Sequence, residues 1–187
     1  MKKILLHICC GPCLIHPFES LKEKGFAVSG FYYNPNIHPF TEYKSRLSAV
    51  SDLVKKEEFE ISFPEYFPQD FFRAVNENEQ APDRCRICWG LRLKKTAKEA
   101  KEKGFDYFTT TLLVSPYQNQ DELKKIGFEA AEEAGSVFYY EDFRPGFRAA
   151  QKKAKKDGIY CQKYCGCIYS EMERYKDKRQ EQASGKK

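Results

Sequence analysis

Short apolar runs alternate with segments of helical periodicity along most of this chain, and the alternation limits the folds that it can adopt. Strands separated by helices form βαβ units, which build a parallel sheet with helices on both faces. We therefore expect an α/β fold, a three-layer α/β/α domain with a mainly parallel sheet. The predicted strands are residues 3–8, 26–33, 59–63, 105–114 and 136–140.

The segments between these strands predict seven helices, bounded by turn and capping residues. Gly25 is expected to end the first helix, and Asn119 with Glu122 resembles a capping box. At 187 residues the chain is long enough to bury a core without disulfides, so we predict one domain, residues 1–180, followed by a disordered tail, residues 181–187. The predicted helices are residues 16–24, 39–56, 69–76, 86–103, 119–134, 147–156 and 168–180.

The apolar segments of the sequence predict a cytoplasmic protein. The apolar run after Met1 is too short for a signal peptide, and no stretch reaches the length of a membrane helix.

The net charge is +5, carried mainly by residues 92–103 and 148–156. These segments are either solvated helix faces or a surface that contacts nucleic-acid phosphates.

Eight cysteines occur in three clusters, which indicates that thiol chemistry is central to function. A cytoplasmic chain keeps its thiols reduced, so clustered cysteines there usually bind metal or carry out redox chemistry. Thiolate-rich sets favour zinc or iron–sulfur clusters. The clusters are Cys9, Cys10 and Cys13 in CCGPC, Cys85 and Cys88 in a CxxC, and Cys161, Cys165 and Cys167 in CQKYCGC.

The first two clusters together offer a metal site at one edge of the sheet. CCGPC follows the first predicted strand, Asn34-Pro35-Asn36 the second, and residues 115–118 the fourth, so all three should lie at the carboxyl ends of the strands. The CxxC opens a helix. Two cysteines from each cluster make four thiolates, which suit either a 4Fe–4S cluster or a structural zinc ion.

The third cluster and two further residues are candidates for the reaction itself. A disulfide between Cys165 and Cys167 would close a small, strained and readily reduced ring, and the alternatives are a pair of metal ligands or two free thiols. His38 and Asp83 are candidate proton donors. The alternatives are a structural loop histidine and a helix N-cap, respectively.

Taken in order, the motifs resemble those of the QueH-type epoxyqueuosine reductases. The matching segments are HICCGPC, YNPNIHP, RCxxCxxLRL, TTTLLVSPYQN, DFRPGF and YCGCIYS, which span about residues 4–170. The resemblance implies a fold like that of the adenine-nucleotide α-hydrolase (HUP) group. It also implies an oxidoreductase that converts epoxyqueuosine to queuosine at the wobble position of tRNA, the last step of queuosine biosynthesis. The SGGxDS loop of ATP-using relatives is absent.

The resemblance further implies roles for individual cysteines. Cys9, Cys10, Cys85 and Cys88 match the ligands of a 4Fe–4S cluster, and Cys165 with Cys167 matches a redox-active pair. A mononuclear iron near Cys13 is also implied. The partners are tRNA and an unidentified electron donor. Two alternatives remain, a zinc-binding structural or nucleic-acid-binding protein and an iron–sulfur tRNA thiolase.

A tRNA substrate predicts cationic and aromatic side chains near this edge of the sheet. Lys and Arg would contact phosphates, and tyrosines could stack on unpaired bases, although each tyrosine alone also fits a core or surface role. The candidate cations are Arg46, Lys94, Lys95, Lys152 and Lys153, and the candidate tyrosines are Tyr32, Tyr33, Tyr117, Tyr160 and Tyr164.

Overall fold

A computed structural model describes the backbone of residues 1–183 and the side chains of residues 1–176. Four strands form one sheet in the order β3-β2-β1-β4, and every neighbouring pair is parallel. β1 is therefore central, with β2 on one side and β4 on the other. The strands are β1 (Lys3–His7), β2 (Ala27–Phe31), β3 (Ile61–Ser62) and β4 (Tyr107–Thr110).

The described residues contain seven α-helices, each close to its predicted position. Helix α1 packs against α2 and α6, whereas α4 packs against α5 and against β1 and β4. The predicted three-layer α/β fold with a parallel sheet is confirmed. The helices are α1 (Gly11–Glu23), α2 (Phe40–Glu57), α3 (Pro68–Val75), α4 (Asp83–Glu102), α5 (Gln120–Ala134), α6 (Phe147–Lys156) and α7 (Ile168–Ala183).

The core lies between the sheet and its helices and is made of apolar side chains from the strands. Ile4, Leu6, Phe31 and Phe108 are completely buried. Removing each such side chain from water contributes about 1.5–3 kcal/mol. The strands are short, so this packing fixes the sheet more firmly than its few backbone hydrogen bonds do.

Two capping predictions are confirmed. Gly25 follows α1 in the left-handed region, with φ of +80°, where a side chain would be strained. The side chain of Asn119 accepts a hydrogen bond from the backbone N–H of Glu122 at the start of α5. Gly25 adopts the left-handed backbone conformation that ends α1, and Asn119 pairs one of the free N–H donors at the start of α5.

Most predicted elements differ from the observed ones by one to three residues at an end, and three differ by more or change in type. Helix α1 begins at Gly11, five residues early, because Pro12 fits the first turn of a helix. The strand predicted over 105–114 ends at Thr110 and continues as a 3₁₀ turn, Thr111–Val114. The strand predicted over 136–140 is a single bridge between Phe138 and Phe108, since Phe138 is held mainly by packing over the backbone of α5.

The end of the chain is only partly described. Helix α7 includes residues 181–183 of the predicted tail, and residues 184–187 lie outside the described part. No helix among the described residues has both the length and the apolar character needed to cross a bilayer.

Alanine substitutions at two helical glycines should change the free energy of unfolding in opposite directions. A Cβ at Gly127 would lie 2.2 Å from the ring of Phe138, whereas a Cβ at Gly90 would meet nothing nearer than 4.0 Å. Gly127→Ala should lower the free energy of unfolding by about 1–3 kcal/mol through overpacking. Gly90→Ala should raise it by up to about 1 kcal/mol through helix propensity. Denaturant titration measures both, and equal effects would contradict the packing of Phe138 against α5.

Candidate functional site

Three connections meet at the carboxyl ends of the central strands. Cys9 follows β1, Asn34 follows β2 and Thr111 follows β4. The side-chain amide of Asn34 donates to the carbonyl of Ile8 at 2.8 Å, and the backbone N–H of Cys9 donates to Thr111 Oγ1 at 3.0 Å. The first two predicted connections therefore lie together at this edge, whereas the contact with Cys9 after β4 comes from Thr111 and not from residues 115–118.

His7, the last residue of β1, stabilises this edge through hydrogen bonds of its ring. Its Nε2 lies 3.1 Å from the carbonyl of Tyr33, and its Nδ1 lies 2.9 Å from Thr110 Oγ1. Because a carbonyl only accepts, Nε2 carries the proton and Thr110 donates to Nδ1. Burial, with a smaller effect of Arg92, lowers the pKa of His7 to about 4, so the ring is neutral at neutral pH. This imidazole ties all three central strands together.

Cys9, Cys10 and Cys13 form a compact thiol group, with their sulfur atoms within 4.8 Å of one another. Cys10 caps α1, and Cys13 lies in its first turn. Thr111 Oγ1 donates to Cys9 Sγ at 3.2 Å. Within the described residues, this is the group of His, Cys and acidic side chains close enough to share one metal ion.

The three thiols differ in acidity. Hydrogen bonds from Cys10 and Cys13 hold the pKa of the Cys9 thiol well below its usual range. Burial raises the pKa of the Cys10 thiol. The hydrogen bond between Cys13 and Cys10 raises the pKa of the Cys13 thiol. Without metal, the group therefore holds one thiolate stabilised by two thiols. The thiolate is the form that binds metals and attacks electrophiles.

The other four candidate cysteines form a second thiol group. Cys88 and Cys167 are buried in one small apolar cluster with Phe71. Burial raises the pKa of Cys88 to about 12 and also raises that of Cys85, and both thiols sense the charges of Cys165 and Cys167. The structure thus brings the CxxC together with Cys165 and Cys167, which we call the CxC, and leaves Cys165 exposed.

Arg92 is buried and acts on His7 and on Cys88 of the second thiol group. Its Nε donates to the carbonyl of Cys88 at 3.2 Å, and its charge lowers the pKa values of Cys88 and His7. Its Nη2 is buried and has no hydrogen-bond partner among the described residues. A buried guanidinium with a free donor favours an anionic neighbour. This cation and the soft sulfur donors together suit a thiolate-bound metal group.

Arg46 holds the loop that carries the CxC. It is 1% exposed, and its Nε donates to Glu42 at 2.7 Å. Its other two nitrogens donate to the carbonyls of Cys165 at 2.9 Å and Tyr164 at 3.0 Å, while the hydroxyl of Tyr160 donates to Glu42. The prediction that Arg46 contacts phosphate is therefore wrong, because all its donors point into the protein. The planar guanidinium suits several acceptors at fixed angles.

Two glutamines connect this loop to the thiols. Gln162 Nε2 donates to Cys10 Sγ at 3.0 Å, and Gln118 Nε2 donates to Cys165 Sγ at 3.7 Å. Trp89 Nε1 holds Gln118 through its Oε1 at 3.0 Å. Sequence reasoning missed Gln162 because a single glutamine in a loop has no distinctive pattern. Its position between Cys161 and the CxC was the available signal.

The two candidate proton donors lie in different surroundings. His38 is buried and stacks on Phe72, with 4.6 Å between ring centroids, and burial lowers its pKa to about 4. Its backbone N–H donates to the carbonyl of Gly166 at 2.8 Å, so His38 lies beside the CxC. Asp83 is exposed and pairs with Arg86 at 3.1 Å, and Pro82 is the N-cap in its place. The structure brings His38, and not Asp83, to the CxC loop.

Removing the buried cation should destabilise the protein strongly. Arg46→Met leaves Glu42 buried without its partner, so we expect a loss of about 3–5 kcal/mol in the free energy of unfolding. The double variant Glu42→Leu/Arg46→Met should lose less, since it removes both charges. Denaturant titration provides the measurement.

A matched control is an exposed pair with the same i,i+4 spacing, Lys98 and Glu102. Lys98→Ala should change the free energy of unfolding by no more than about 0.5 kcal/mol. An Arg46→Met protein as stable as Lys98→Ala would contradict the anchoring role of Arg46.

Comparison with known proteins identifies relatives along nearly the whole chain. The family model described as "Epoxyqueuosine reductase QueH" matches residues 4–173. A protein of that name from Dehalococcoides mccartyi is 41% identical over 174 residues, which cover 92% of this chain and 94% of the relative. Another from Thermotoga maritima is 34% identical over 182 residues and covers 93% of both chains.

One solved structure supports the fold. It is the predicted subunit of tRNA methyltransferase from Methanocaldococcus jannaschii, which aligns with a TM-score of 0.56 and 11% sequence identity. The alignment covers 83% of this chain and 74% of that protein. At this identity the similarity establishes a shared α/β architecture.

Proposed function

The chain belongs to the epoxyqueuosine reductase QueH family, and on that premise we propose that it reduces epoxyqueuosine to queuosine in tRNA, the last step of queuosine biosynthesis. It is an oxidoreductase, for which we propose a cytoplasmic location, where tRNA is modified. The observation that carries the proposal is the loop of residues 161–167, which joins the two thiol groups: its Gln162 donates to Cys10, and its Cys167 lies in one apolar cluster with Cys88. Seven of the eight cysteines belong to these groups.

We assign a 4Fe–4S cluster to the thiolates of Cys9, Cys10, Cys85 and Cys88. The sulfur donors suit iron, and the partnerless Nη2 of Arg92 suits the negative charge of such a group. When bound, the cluster supplies electrons one at a time. Cys13 lies within 4.8 Å of Cys9 and Cys10 and is the candidate ligand of a second, mononuclear iron.

The CxC pair can supply the electrons and protons that the reaction consumes. Opening the epoxide to an alkene and water takes two electrons and two protons. Oxidation of the Cys165 and Cys167 thiols to one disulfide releases two electrons and two protons, so the exchange balances. Cys165 is exposed and can meet the substrate, whereas Cys167 is buried beside Cys88. An unidentified electron donor then restores the dithiol.

The surrounding side chains hold this pair in place and set its environment. Arg46 and Gln118 fix the backbone and the sulfur of Cys165. His38 is neutral at neutral pH because burial lowers its pKa to about 4, against the opposing effect of the Pro35 backbone. We propose that His38 hydrogen-bonds to the substrate. Asp83, exposed at the start of α4, is the more remote candidate proton donor.

Loss of a cluster ligand should remove iron. Replacing Cys9, Cys10, Cys85 or Cys88 individually by Ala should eliminate most of the iron and the visible absorbance of anaerobically purified protein, because an open cluster corner is exposed to hydrolysis. Cys161→Ser is the matched control and should retain wild-type iron, since its sulfur bonds to the carbonyl of Ile159. Full iron in two or more of the four variants, or zinc in place of iron, would refute the assignment.

Loss of either CxC sulfur should greatly slow the conversion of epoxyqueuosine but leave the iron content unchanged. The Cys165→Ala and Cys167→Ala proteins should keep their iron and bind tRNA. They should convert epoxyqueuosine at least ~100-fold more slowly, which corresponds to an activation barrier about 2.7 kcal/mol higher. The measurement is a single turnover after chemical reduction of the cluster. Conversion near the wild-type rate in both variants would show that the pair has a structural or ligand role.

A further inference from the structure

Four phenylalanines remain exposed at the start of α2 and in the segment from the end of β3 into α3. Their exposed fractions lie between 41% and 61%. Exposed aromatic side chains grouped in this way usually mark an interaction surface. We call this group the aromatic platform, and its members are Phe40, Phe63, Phe67 and Phe72.

The platform is supported by rings packed beneath it. Tyr43 and Tyr66 stack with centroids 3.9 Å apart, and Phe40 lies 6.2 Å from Tyr43 and 6.1 Å from Tyr66. Phe63 contacts Tyr32 at 5.9 Å. These supports orient the exposed faces, so little conformational entropy remains to be lost when a partner binds.

Hydrogen bonds connect the platform to the CxC loop. Phe72 stacks on His38, whose backbone N–H donates to Gly166, the residue between the two cysteines. The hydroxyl of Tyr164 donates to the carbonyl of His38 at 2.5 Å, and that of Tyr66 donates to the carbonyl of Ile37 at 2.6 Å. A molecule that stacks on the Phe72 end of the platform would therefore lie near the CxC loop.

Three exposed cations accompany the platform in the chain. Lys44 follows Tyr43, Arg73 follows Phe72, and Lys163 precedes Cys165 by two residues. None of the three has an ion-pair or hydrogen-bond partner in the part of the chain whose side chains are described. One exposed acid, Glu65, lies between Phe63 and Phe67. Aromatic faces with unpaired cations are the combination that binds single-stranded RNA.

We propose that the aromatic platform stacks the unpaired bases of the tRNA anticodon loop on either side of the modified nucleotide, and that the three cations contact their phosphates. This inference rests on the proposed function and identifies the substrate surface of the same site. The modified base must leave its stack to bring the epoxide to Cys165. Phenylalanine faces replace the stacking that the neighbouring bases lose.

The test measures binding of an unmodified anticodon stem-loop RNA by fluorescence anisotropy under anaerobic conditions. Phe40→Ala and Phe72→Ala should each weaken binding about tenfold without changing its salt dependence. Lys44→Gln and Arg73→Gln should each reduce the slope of log K against log salt by about 0.7, one phosphate contact. Phe128→Ala, on α5 and 47% exposed, is the matched control and should bind like wild type.

Other outcomes would overturn the inference. Phe40→Ala and Phe72→Ala proteins that bind RNA as tightly as Phe128→Ala would exclude base stacking. Variants that bind RNA normally, and lose conversion only when a protein donor replaces a chemical reductant, would assign the platform to the electron donor. If the platform variants weaken RNA binding but wild-type protein fails to convert epoxyqueuosine, the inference stands and the proposed function is wrong.

Discussion

The buried pair of Arg46 and Glu42 is the interaction on which the rest of the site depends. A guanidinium that is 1% exposed is costly unless each of its nitrogens is paired. Arg46 meets this requirement by bonding to Glu42 on its own helix and to two carbonyls of a loop more than a hundred residues further along the chain. The need to pair one charge therefore places the CxC at the carboxyl edge of the sheet.

The edge itself is rigid because polar groups are satisfied there in a chain of hydrogen bonds. Thr110 accepts from the N–H of Leu112 and donates to His7, which donates to the carbonyl of Tyr33. These bonds join the ends of β1, β2 and β4. A rigid edge lets thiols a few ångströms apart take different protonation states, since Cys9 ionises more readily than usual while Cys10 and Cys13 keep their protons.

Sequence reasoning recovered what depends on local periodicity and spacing. Helix α6 occupies the predicted residues 147–156, and the capping role of Asn119 is confirmed, because both depend on nearby residues. The sequence predicts a surface cation at Arg46, whereas the structure buries this side chain. Its burial depends on a distant loop, and no short-range pattern encodes that contact.

Other features of the site were missed for the same reason. Gln162 and Thr111 touch cysteine sulfurs, yet each is an ordinary polar residue in its own segment. The exposed phenylalanines resemble core residues in the sequence, since hydrophobicity alone does not tell which side of a short element faces solvent. The cysteine clusters were identifiable from spacing, but their division into two thiol groups required tertiary contacts.

The central claim is that this protein's own CxC thiols deliver the two electrons that remove the epoxide oxygen. The most direct measurement is a single turnover with reduced protein freed of excess reductant, followed by alkylation of the remaining thiols and peptide mass spectrometry. The account predicts that two thiols disappear for each queuosine formed and that both lie at Cys165 and Cys167. Queuosine formed at the wild-type rate while Cys165 and Cys167 remain fully alkylatable would contradict it.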